Sequence, residues 1–210
     1  REPALDLTDT ILALARAGAD PRVRGLVVRL DATAHGFAVA QELRDSLLRF
    51  RASGRFVLAH AESIGGLGPG NEGYFLATAA ERIVLQPQGG LGLTGLAIEL
   101  PYVGGLLAAL GIDGEIIQRE EYKTAFETFV DRAPSAAQAE TMGRLVERAS
   151  DQWLKAIAEA RGKAPAELQA LVDQGPWSAE EALRHRLVDA LGYYDEVEEE
   201  AKRRAGDGAE

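Results

Sequence analysis

Lys123 stands in the run Glu121-Tyr122-Lys123-Thr124-Ala125-Phe126-Glu127-Thr128-Phe129, between aromatic residues and directly after the strand-like run 114–119. A lysine in partly apolar surroundings loses hydration of its ammonium form, so its pKa falls and it can take a proton near neutral pH. Lys123 is therefore the candidate general base. Glu120, Glu121 and Glu127 flank it. A carboxylate paired with the ammonium would hold its proton in place, so the base role requires these three to point away or to contact Arg119. Two glycine-rich loops are the other candidates: residues 63–73, which contain Ser63 and Asn71, and residues 89–95, which contain Gly89, Gly90 and Gly95. His35, His60 and His185 are dispersed, with no spacing that joins them or nearby carboxylates into a metal site. The absence of cysteine excludes disulfides, thiolate metal sites and a cysteine nucleophile. No metal and no cofactor is expected.

The elements that must position these groups follow from periodicity. Leu5, Leu7, Ile11, Leu12 and Leu14 predict a helix that stops near Gly18, ahead of Asp20-Pro21. Leu26 to Leu30 and Phe56 to Ala59 read as buried strands separated by a helix with Val39, Leu43, Leu47 and Leu48. A short apolar helix from Tyr74 to Ala80 leads into the strand Ile83-Val84-Leu85. Strands alternating with helices predict a parallel sheet with right-handed crossovers. Further on come a helix over 103–110 closed by Gly111, a strand over 115–117, and one extended amphipathic helix over 135–161. That helix carries Trp153, Leu154 and Ile157, which suit it for docking a neighbour. Ser178 and Glu181 form a capping box ahead of a helix over 179–186.

The 210 residues, 46% of them hydrophobic, are read as one domain over 1–195 followed by an acidic tail over 196–210, a frayed and solvated helix. A formal charge of −10, with basic residues interleaved among acids, argues against a nucleic-acid partner. Among the apolar runs none approaches the roughly 18 residues that span a bilayer. The chain begins without Met, so it is expected to be a domain of a longer protein, with any membrane anchor outside it.

Tyr122-Lys123-Thr124-Ala125, followed by Glu127 and Phe129, resembles the lysine motif of the signal peptide peptidase A family, serine proteases that pair a Ser nucleophile with a Lys base. Tyr74-Phe75, then Ala77 and Ala79-Ala80-Glu81-Arg82-Ile83, is similar to the stretch that follows the family's nucleophile, and 187–192 resembles its C-terminal segment. Counting back from the aromatic pair, the nucleophile's place is held by Asn71, or by Gly70 if the loop slips by one, while Ser63 lies eight positions earlier. The oxyanion turn, Gly-Gly in the family, reads Asp31-Ala32-Thr33-Ala34-His35-Gly36. A lysine without its serine resembles the N-terminal half of the family's long two-repeat members. The resemblance implies an α/β crotonase-like, Clp-protease-like fold of stacked strand-helix units with a long assembly helix. It implies cleavage of signal or membrane-derived peptides, with Ser from a second domain or subunit, and a substrate groove at Gly89, Gly90 and Gly95. It also implies a homo-oligomer in the cell envelope, membrane-anchored, with this domain on the extracytoplasmic side. Two alternatives stay open: a non-catalytic scaffold domain of the assembly, and a crotonase-type acyl-CoA hydratase or isomerase, suggested by Gly65-Gly66 before a short apolar helix.

Overall fold

A computed structural model describes residues 6–31, 36–66 and 68–206. The described chain runs α1 (Leu7–Ala19), β1 (Gly25–Leu30), α2 (Phe37–Ala52), β2 (Phe56–Ala61), α3 (Asn71–Ala77), β3 (Arg82–Leu85) and β4 (Gly90–Leu91). It continues through α4 (Gly104–Ala109), α5 (Glu127–Val130), α6 (Ala136–Arg161), α7 (Pro165–Gln174), β5 (Trp177–Ser178), α8 (Ala179–Arg184), β6 (Ala190–Leu191) and α9 (Tyr194–Ala205). Two compact units result, one from Arg1–Gly95 with Trp153–Glu210 and one from Leu96–Gln152.

In the first unit, β1, β2, β3 and β6 form a parallel sheet in that order. The apolar runs of β2 and β3 have no polar alternation, because helices leave them buried on both faces. One face holds the main core, where Val57, Ala59, Ile83 and Leu85 meet Leu47, Phe50, Tyr74 and Phe75. Trp153, Leu154 and Ile157 of α6 are buried in that same core. The expectation that they form a docking surface is corrected: their apolar stripe is consumed by the chain's own sheet-and-helix packing.

On the other face Val197 and Ala201 of α9 pack against Leu58, Val84, Val27 and Phe56. The charged segment after Glu196 is thus a docked helix as far as Ala205, and not the frayed one its composition suggests. The capping box at Ser178 forms as expected, with the Ser178 N–H donating to Glu181 Oε2 at 3.0 Å and the Glu181 N–H donating to Ser178 Oγ at 3.3 Å. The segment 187–192 contributes β6, and it is anchored by Asp189. That carboxylate accepts the Ile83 N–H at 2.8 Å and a two-pronged pair from Arg161 at 2.8 and 3.0 Å. Bidentate guanidinium–carboxylate geometry is the strong form of such a bond.

In the second unit α4 crosses the α5 terminus so closely that a Cβ on Gly104 would lie 2.4 Å from the Val130 carbonyl oxygen. The strand expected over 115–117 is absent. Its isoleucines carry strand propensity, but among the described residues no strand pairs with them, and Ile117 is 95% exposed. β propensity reflects packing on a pleated neighbour, so without one it builds no strand.

Candidate active site

Lys123 lies on a turn of the second unit, where its N–H donates to the Glu120 carbonyl at 3.1 Å. The next residue, Thr124, is buried and anchors the turn: its carbonyl accepts from Gln138 Nε2 at 3.2 Å and from the Glu127 N–H at 3.1 Å. Gln138, itself buried, accepts the Tyr102 hydroxyl through Oε1. One flanking carboxylate is directed elsewhere. Glu127 is buried and accepts from Ser135 N–H at 3.1 Å and Ser135 Oγ at 2.7 Å, at the start of α6. Among the described residues Lys123 forms no ion pair, and Glu120 and Glu121 are exposed. The lysine side chain is exposed and lines a cavity of about 800 Å³ walled by Leu100, Pro101, Ile116, Phe126 and Met142. Beside it Tyr122 donates to Glu140 Oε2 at 3.0 Å, a bond that holds the Tyr122 phenol above its usual range.

The glycine loops lie in the first unit and interlock. The N–H of Ile64 donates to Gly90 O, that of Gly92 to Ile64 O, and that of Gly70 to Gly92 O, at 2.7–2.8 Å. A Cβ on Gly70 would stand 2.3 Å from the Ile64 carbonyl oxygen, and one on Gly89 would stand 2.0 Å from the Glu62 carbonyl oxygen. Backbones this close leave no room for side chains, which is why glycine recurs here. Gly90 pairs with Ser178 on its other side, and its N–H donates to Ser63 Oγ at 2.9 Å. Ser63 therefore serves the turn beside Gly90. Gly95 has a φ of +80°.

Asn71, at the place of the expected nucleophile, opens α3 and is buried. Its Oδ1 accepts the N–H groups of Thr94 and Gly95 at 3.1 and 3.2 Å, and its Nδ2 donates to Gly95 O at 2.6 Å. Its own carbonyl takes the Trp153 indole N–H at 3.2 Å. Asn71 is thus a clamp between the two loops. Residues 32–35 of the expected oxyanion turn, His35 included, lie outside the described residues. His60 is buried, and among the described residues no group of three His, Asp or Glu side chains is placed to hold a metal ion. No helix among them is long and apolar enough to cross a membrane.

The parallel sheet with its covering helices defines an α/β chain that carries an interlocked pair of glycine loops and a lysine turn. The model of Peptidase family S49 matches residues 50–207, a span that takes in both loops and Lys123. The chain belongs to that family, the signal peptide peptidase A family. It is 27% identical over 191 residues to the "Serine protease SPPA, chloroplastic" of Arabidopsis thaliana, covering 91% of this chain and 28% of that protein. It is 30% identical over 212 residues to "Protease 4" of Salmonella typhi, covering 95% of this chain and 33% of that protein. The chain thus spans about a third or less of the length of these relatives.

Proposed function

We propose that this chain supplies the general-base lysine of a Ser-Lys peptidase, with the serine coming from a second domain or subunit. The observation that carries the reading is Lys123 itself, beside an apolar cavity and, among the described residues, paired with no carboxylate. An ammonium free of a counter-ion needs only cover from water to become a base, and a bound peptide with the Ser-bearing partner would provide it. The Lys123 amine would take the proton of the serine hydroxyl as that oxygen attacks the scissile carbonyl. It would then return the proton to the leaving amine, and water would release the acyl group. Asn71 cannot serve as that nucleophile, since a carboxamide does not attack a carbonyl as a hydroxyl does.

In this reading the fold is the crotonase-like, Clp-protease-like one, and Gly89, Gly90 and Gly95 shape the wall of the groove that receives signal or membrane-derived peptides. The chain works in a homo-oligomer at the cell envelope, anchored outside the described residues. Exposed Leu106, Leu110, Ile117, Phe129 and Leu145 of the second unit are apolar surface available to such a partner. Family membership favours peptidase chemistry over the acyl-CoA alternative. The test is hydrolysis of a fluorogenic apolar peptide by the Ser-bearing assembly, with and without Lys123→Met. A hundredfold loss or more supports the base. Unchanged turnover leaves the scaffold reading in its place.

A further inference from the structure

The N-terminal ends of β1 and β2 carry a cluster of arginines. A cavity of about 840 Å³ opens there, lined by Arg24, Arg51, Arg55 and Arg204, with Glu81 as its one acid. Glu81 is already paired with Arg204, whose guanidinium also covers the Phe56 ring at 4.6 Å. Arg24 and Arg51 form no ion pair among the described residues, while Arg55 lies in the field of the Asp20 carboxylate, which is itself paired with Arg22. Arg51 is held by the Ala79 carbonyl at 2.7 Å, and Arg55 by the carbonyls of Asp20, Val23 and Ser53 and the Ser53 hydroxyl at 2.7–3.1 Å. Carbonyl anchors fix a guanidinium in place without neutralising it. Two guanidinium groups without an ion-pair partner among the described residues, Arg24 and Arg51, therefore line one hollow together with Arg55, in a chain whose net charge is −10.

A structural account explains only part of this. Arg51 sits in the last turn of α2, where a cation complements the helix dipole. Arg55 ties the segment before β1 to the C-terminal end of α2, whereas Arg24, which precedes β1, has no such bond to make it face the same space. Guanidinium groups match the planar fork of an oxyanion, and anchored ones lose little side-chain freedom on binding it. Leu48, Ala52 and Phe56 add an apolar wall for whatever the anion is attached to.

We propose that this cavity binds a phosphate-class oxyanion through Arg24 and Arg51, with the anchored Arg55 beside them. The same chemistry is offered by free phosphate and by a phospholipid headgroup, and two measurements on the purified chain separate them. Calorimetric titration with inorganic phosphate reads the free anion. Cosedimentation with phosphatidylglycerol–phosphatidylcholine vesicles, against pure phosphatidylcholine, reads the headgroup. Binding in either assay is expected to weaken with added salt and to fall about tenfold in Arg24→Glu, the loss of one charge-assisted contact. Arg24 is exposed and makes none of the anchoring bonds, so this variant should melt as the parent does; Arg51→Gln, checked by its melting curve, should fall similarly. Binding of phosphate alone assigns the site to a free anion, and binding of anionic vesicles alone assigns it to a headgroup. No binding in either assay, or equal binding by Arg24→Glu, overturns the proposal.

Discussion

The carboxamide of Asn71 closes on the peptide of Gly95 in both directions, donating to its carbonyl at 2.6 Å and accepting its N–H at 3.2 Å. The first glycine loop is thereby tied to the second by one side chain, at the place where the family resemblance leads one to expect a nucleophile.

Asn71→Ala should consequently destabilise the fold. It leaves the Thr94 and Gly95 amides and the Gly95 carbonyl short of a partner; Thr94 is exposed and Gly95 half-buried, so water replaces part of what is lost and a cost of about 1–3 kcal/mol is expected. Thermal unfolding reads this directly. A melting temperature unchanged from the parent would mean that the loops interlock without the clamp.

Ser63→Ala should leave peptidase activity in the Ser-bearing assembly unchanged and cost about 1 kcal/mol of stability, because Ser63 Oγ serves the Gly90 N–H. A fluorophosphonate probe should not label Ser63. Labelling that disappears in the Ala variant would restore a self-contained dyad.

His60 is buried between the sheet and α9, with Nε2 3.3 Å from Gly192 O and no partner for Nδ1 among the described residues. Burial depresses its pKa below 6.5, outweighing the Gly192 bond; Arg29 of β1 also lowers it, while Glu62 and Asp195 oppose. The folded state therefore binds this proton less readily than the unfolded chain. Its stability contribution is complete above about pH 6.5 and is lost as pH falls through the folded value. Melting temperature should decline below pH 6.5 in the parent, and less steeply in His60→Gln. Equal slopes would remove His60 from the account.

Gln138→Leu should loosen the lysine turn, since it leaves the Thr124 carbonyl with its Glu127 N–H bond alone and takes the acceptor from the Tyr102 hydroxyl. A cost of about 1–3 kcal/mol is expected, with faster amide exchange across residues 120–130. Protection unchanged there would show that Thr124 is held by other means.

Much of the first unit was legible because its signals are periodic and local. Apolar runs at Leu26, Phe56 and Ile83 became parallel strands, and Ser178 with Glu181 became a capping box. What escaped depends on partners distant in sequence. Ile116 and Ile117 look like a strand but have no neighbouring strand in the described chain. Val197 and Ala201 form too narrow a stripe to stand out among the charges of α9, yet they seat it on the sheet. For Trp153 the apolar stripe was evident and its partner was not, because the main core is assembled from both ends of the chain. The lysine turn was visible as a motif. The Asn71 clamp was not, since its bonds reach 23 and 24 residues along the chain.

The role proposed for Lys123 is that of a base serving a serine from another domain or subunit. Its most direct measurement is turnover of a fluorogenic apolar peptide by the 210-residue chain alone, by its assembly with the Ser-bearing partner, and by that assembly carrying Lys123→Met. Background rates are expected for the isolated chain, turnover for the assembly, and a loss of about a hundredfold or more in the variant with its fold intact. Steady turnover by the isolated chain that a serine-directed inhibitor abolishes, or full activity in a folded Lys123→Met assembly, would contradict that role.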